Sequence, residues 1–231
     1  FLLVERRAAS PLVRLALFRD RALAGSFAMS LLVSTVMMAT LVVGPFYLAR
    51  TLGLEPARVG LVLSTGPLVA ALTAAPAGRL ADRLGTRIVT LGGLGGMMLG
   101  ALALSLPPVM AGIPGYVCPL VALTASYSLF QTANNTAVMA GSGADERGAI
   151  SGLLNLSRNL GLVTGASAMG AVFAAAAATA DIAGARGDVV ATGLRTTFAV
   201  AAALVLVALV MAIVALPPTQ RLTDRKTAAG S

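Results

Sequence analysis

The sequence predicts an all-α integral membrane protein with six transmembrane helices. Three observations carry that reading. The 231 residues are 57% hydrophobic and only 11% charged, with a mean hydropathy of +0.88, too few polar side chains to cover a soluble domain of this length. The charges are bunched, leaving uncharged runs at 22–49, 59–78, 88–144, 159–180 and 196–220. Each run is at least as long as the ~20 residues that cross ~30 Å of hydrocarbon.

The first helix is expected at 24–49, with Ser26, Ser30 and Ser34 one turn apart and a Gly44-Pro45 pair that permits a kink. The second is expected at 58–78 and carries Gly66-Pro67. The run 88–144 is too long for one crossing, since a single helix of that length would measure ~85 Å. Pro107, Pro108 and Pro114 in LPPVMAGIPG divide it into helices at 88–107 and 115–140. In the first of these, Gly92, Gly96 and Gly100 form a flat strip for close packing against a neighbour. The fifth helix is expected at 149–178. The sixth, at 196–216, is aliphatic over 198–216 apart from one Phe, as expected of a helix facing lipid. Residues 1–23 read as a cytoplasmic lead-in and 217–231 as a cytoplasmic tail. The opening Phe1-Leu2-Leu3-Val4 resembles the end of an apolar segment, so the chain is expected to be the C-terminal part of a longer protein.

Basic residues set the orientation. The termini and the stretches 79–87 and 141–148 hold twelve Arg and Lys, against four (Arg50, Arg58, Arg186, Arg195) at the other helix ends. This places both termini in the cytoplasm of a multi-pass protein of the cell (plasma or inner) membrane. The net charge of +8 is thereby accounted for without nucleic acid, and membrane lipid is the expected surrounding partner. Cys118 is the only cysteine and there is no histidine, so an internal disulfide is excluded. Metal and general-base chemistry lack their commonest residue. No metal or cofactor is expected. No paired carboxylates or nucleophile constellation lies at a helix end, and an enzyme is not expected.

Polar residues within apolar helices are costly and mark function or packing. Arg158 is the only charge inside a predicted span, ~14 Å along the fifth helix. It shares a stripe with Ser151, Asn155 and Asn159. The fourth helix has a matching stripe of Thr124, Tyr127, Gln131, Asn134 and Asn135, with Gln131 at a depth similar to Arg158. The two stripes are expected to face each other or a shared wet cavity. They read either as a substrate pathway with Arg158 as a gating charge, or as bundle hydrogen bonds with Arg158 reaching to the headgroups. No Asp or Glu lies inside a predicted span. A site for coupling protons is therefore expected in the helices that precede this chain.

The stretch GRLADRLGTR, expected as the loop between the second and third helices, carries Gly78, Asp82, Arg83, Gly85 and Arg87. Its spacing resembles the loop signature of the major facilitator superfamily. Residues 1–21 and RGAISGLLNLSRNLGLVTGASAMG (147–170) resemble the 14-helix drug:proton antiporter branch. The resemblance implies the C-terminal six-helix half of such a transporter, built as a 3+3 inverted repeat. It implies that the first and fourth helices line a central cavity, the second and fifth pack against the other half, and the third and sixth face outward. Arg158 would then pair with a carboxylate of the other half, and Asp82 would act as a conformational latch. The implied function is proton-coupled efflux of lipophilic or cationic small molecules by alternating access. The alternatives are a carrier for an anionic or polar metabolite, with Arg158 as counter-charge, and a non-transporting membrane scaffold or sensor.

Overall fold

The structure, a computed structural model, describes residues 20–106, 112–141, 143, 146–177 and 186–215. The lead-in up to residue 19, Pro107 and Pro108, and the tail from 216 lie outside the described residues. Among the described residues, six helices are long and apolar enough to cross a membrane. They are α1 (Arg21–Phe46), α2 (Pro56–Leu84), α3 (Thr86–Ser105), α4 (Gly112–Ala140), α5 (Arg147–Ala176) and α6 (Gly187–Ala215).

Local chemistry sets the ends. Asp20 caps α1, its Oδ1 accepting from the backbone N–H groups of Ala22 at 2.8 Å and Leu23 at 3.4 Å, so the helix begins three residues before the expected 24. Its far end widens into a π-helical turn, Tyr47–Thr51, just after Pro45, which has no N–H to give the ladder. The Thr51 hydroxyl then donates to the carbonyl of Gly187 at 2.9 Å, tying this turn to the start of α6. Pro56 opens α2, where a missing donor costs nothing.

Two boundaries depart clearly from expectation. α2 continues through Arg79, Asp82 and Arg83 to Leu84 instead of stopping at 78, and α6 starts at Gly187 instead of 196. Charge marks where a helix leaves hydrocarbon, but the backbone ladder continues as long as it is satisfied. Arg195 therefore lies within α6, where its Nε donates to the carbonyl of Ser105 at 3.3 Å at the C-terminal end of α3.

The helices alternate in direction, so α4 runs opposite to α1. α1 packs on α5 and α6, α4 packs on α2 and α3, and α3 and α6 pack on each other. Exchanging α1–α3 with α4–α6 preserves that pattern, which is the arrangement of a 3+3 inverted repeat and of one half of a major facilitator bundle. Small residues set the closest approaches. A Cβ on Gly165 would lie 2.8 Å from Thr35 Cα, and one on Gly161 would collide with the Leu31 carbonyl. Backbone proximity of this kind drives association where lipid and side chains are equally apolar. The main core runs along α1, α3, α4 and α6 through Met29, Val33, Met97, Phe130 and Phe198, all fully buried.

Candidate functional site: a four-helix cavity and the α2–α3 turn

A cavity of about 210 Å³ opens between α1, α2, α4 and α5. Met37, Thr40 and Leu41 of α1, Leu63, Gly66, Pro67 and Ala70 of α2, Leu120, Thr124 and Tyr127 of α4, and Leu162 of α5 line it. No charged residue contributes to the wall. The flanking helices α2 and α5 are the least buried of the six. Leu61 and Leu72 of α2 are 72% and 67% exposed, and Val163 of α5 is 67% exposed. The cavity thus borders the two least buried helices of the bundle.

The polar stripe of α4 divides into two roles. Asn134 is buried and donates to Ser30 Oγ at 3.0 Å and to the Ser26 carbonyl at 3.4 Å, which joins α4 to α1. Gln131 donates from Nε2 to the Tyr127 hydroxyl oxygen at 2.8 Å, while its Oε1 is buried without a partner. Asn135 is half-buried. On α5, Asn155 and Asn159 are exposed, Ser151 and Arg158 are half-buried, and Arg158 Nε is buried without a partner. The two stripes do not pair directly. α5 packs on α1 and touches α4 only slightly, and no residue of the α5 stripe lines the cavity that Thr124 and Tyr127 border.

The charged stretch between α2 and α3 is a turn of one residue. Gly85 lies at φ 84°, ψ 149°, a backbone conformation reserved for glycine. Its N–H closes α2 on the Ala81 carbonyl at 3.0 Å, and its carbonyl accepts from Val89 at 3.3 Å to open α3. Gly78, Asp82 and Arg83 belong to the last two turns of α2. Asp82 and Arg83 are exposed, and among the described residues Asp82 forms no ion pair with Arg83 or Arg87. Arg87 Nε is buried without a partner. A Cβ on Gly78 would meet nothing within 4 Å, so its openness faces away from this bundle.

The glycine strip of α3 is rotated from the expected one. Gly96 and Gly100 meet Ser126 and Leu123 of α4, but Gly92 points away. Gly93 takes its place, with a would-be Cβ 2.7 Å from the Phe130 backbone nitrogen. Sequence reasoning missed the stacked Tyr47–Tyr116 pair, with ring centroids 5.7 Å apart, and the room that Gly44 leaves for the Tyr116 hydroxyl. Gly44 and Tyr116 are 72 positions apart, and no short-range pattern announces their meeting. It also missed the Thr35–Gly161 contact, for which the spaced glycines of 147–170 were a usable signal.

Comparison with known proteins places this geometry. Residues 3–166 match the profile described as Major Facilitator Superfamily. The chain is 32% identical over 130 residues to the uncharacterized transporter YebQ of Escherichia coli, covering 56% of this chain and 28% of that protein. It is 29% identical over 178 residues to the multidrug resistance protein Stp of Mycobacterium tuberculosis, covering 76% of this chain and 32% of that one. The chain therefore spans about a third of the length of the curated relatives it matches. Among solved structures, a POT family transporter in complex with 5-aminolevulinic acid superposes with a TM-score of 0.69 at 16% identity, over 91% of this chain and 44% of that one. The proton:xylose symporter XylE gives 0.67 at 13% identity, over 86% and 45%. At these identities the two structures speak for the fold alone. With the matched profile, the six-helix inverted repeat and the α2–α3 turn in agreement, the chain belongs to the major facilitator superfamily.

Proposed function

We propose that this bundle is the C-terminal half of a secondary transporter of the 14-helix drug:proton antiporter branch, which exports lipophilic, often cationic, compounds by alternating access. The observation that carries this reading is the apolar cavity opening between α2 and α5, whose exposed leucines and valine are the surfaces a second bundle would cover. Similarity to a relative named as a multidrug resistance protein supports the substrate class. In this reading the two bundles rock about the shared cavity, and Asp82, with Arg83 and Arg87, biases one state by contacts to the other bundle. Arg158, whose Nε has no partner in this bundle, pairs with a carboxylate of the other half. The coupling protons bind in that half, and both ends of the chain described here lie in the cytoplasm.

The test is efflux of ethidium from cells producing the full-length protein, with and without a protonophore. Export that collapses with the proton gradient supports the reading. Export that ignores the gradient, or no export across a broad lipophilic panel, overturns it.

A second reading has one observation in its favour. The Nε of Arg158, buried without a partner, is suited to an anionic metabolite, and uptake or efflux of organic acids would reveal such a carrier.

A further inference from the structure

Most threonine hydroxyls on these helices are consumed by their own backbone. Thr35, Thr40, Thr65, Thr73, Thr164 and Thr197 each donate to a carbonyl three or four residues earlier. Thr124 does not. It lines the cavity, is 3% exposed, and its Oγ1 is buried with no hydrogen-bond partner. A buried hydroxyl left unpaired is costly, and of the four such hydroxyls among the described residues (Ser34, Tyr47, Tyr116 and Thr124) only that of Thr124 belongs to the cavity lining. One turn further along the same face, the Tyr127 oxygen accepts from Gln131 Nε2 at 2.8 Å. That bond leaves the phenolic proton of Tyr127 available to donate.

The wall therefore offers two hydroxyls with a proton to give, three residues apart on α4; the third hydroxyl of the lining, Thr40, spends its proton on the Met37 carbonyl, and the remaining side chains are apolar. It offers no charge. A cationic or anionic group placed here would be desolvated without a counter-charge. The cavity, at about 210 Å³, is also smaller than the ~300–1,000 Å³ of a pocket for a whole drug-sized ligand. It holds a part of one.

We infer that this cavity is the subsite for an uncharged, ring-sized apolar moiety bearing a hydrogen-bond acceptor such as a ketone oxygen, with Thr124 and Tyr127 as its specificity-determining donors. The inference rests on the export reading for the claim that this moiety belongs to a transported substrate. Any positive charge on such a substrate is held outside this cavity.

The test is equilibrium binding of tritiated fluorenone to the purified full-length protein, with fluorene as the matched hydrocarbon lacking the carbonyl. Fluorenone is expected to bind roughly tenfold more tightly, the effect of one or two hydrogen bonds. Thr124→Val and Tyr127→Phe, which keep the side-chain shapes, should each remove several-fold of that preference and leave fluorene binding unchanged. Thr124→Ser should retain the preference. Equal binding of ketone and hydrocarbon by the wild-type protein overturns the inference, as does a preference that survives both substitutions. Displacement of fluorenone by tetraphenylphosphonium with undiminished strength in Thr124→Val and Tyr127→Phe would likewise show that charge, not acceptor chemistry, is recognised. The readout is separate from transport. A ketone preference without efflux would remove the export reading and keep the subsite, whereas efflux without the preference would do the reverse.

Discussion

Thr35 in the middle of α1 shares its hydroxyl proton between two carbonyls at 3.0 Å, those of Leu31 in its own helix and Gly161 in α5. The bond exists because Gly161 has no side chain to hold the helices apart. Gly161→Ala would drive a methyl into the Leu31 carbonyl and is expected to cost about 1–3 kcal/mol. Thr35→Val removes only the hydrogen bond, for which membrane proteins average ~0.6 kcal/mol. Thermal denaturation in detergent should therefore rank wild type, Thr35→Val and Gly161→Ala in falling order. Equal melting of the wild type and Gly161→Ala would refute the close seam.

Gly85 and Gly78 separate two meanings of glycine in one motif. Gly85→Ala forces a side chain into a backbone region that disfavours it, at about 1–3 kcal/mol, and should lower thermal stability. Gly78→Ala meets open space in this bundle and should leave stability nearly unchanged. If Gly78→Leu then folds normally but loses efflux, the space at Gly78 is needed for contact with the other half.

Arg158→Ala tests the proposed pairing across the halves. Removing one member of a buried ion pair typically costs ~3–5 kcal/mol, so transport of every substrate class should fall, with partial recovery in Arg158→Lys. Loss confined to anionic substrates would instead favour the metabolite carrier. Parallel flux assays with ethidium and an organic acid distinguish the two.

The 231-residue chain reconstituted alone is expected not to transport. In the two-bundle reading a second bundle completes the transport path, and among the predicted spans no carboxylate sits at membrane depth. Proton-driven efflux from vesicles containing only this chain would contradict the two-bundle reading.

All six helices were legible in the sequence because hydrocarbon enforces long uncharged runs. Their ends were less legible. Arg79, Asp82 and Arg83 looked like a loop but form the end of α2, because charged side chains suit the last turns of a helix emerging into water. The α4 stripe was visible as polar residues on one face. Its division was not, since Asn134 turns to Ser30 while Tyr127 turns to the cavity, and the difference depends on where α1 lies. The strip on α3 failed by one residue. Gly92 and Gly93 are adjacent in sequence, and only the placement of α4 decides which of them it contacts.

The single residue between α2 and α3 has a mechanical consequence. A joint that short has no slack, so displacement of one helix end is handed directly to the next. α2 has 29 residues, about 43 Å at 1.5 Å per residue. Pivoting it by about 10° around its outer end would sweep the Gly85 end sideways by about 7.5 Å. The start of α3 would have to follow, or the turn at Gly85 would have to unwind. Gly85 thus turns two membrane helices into one bent lever, and stiffness at that point sets how much of the motion reaches α4.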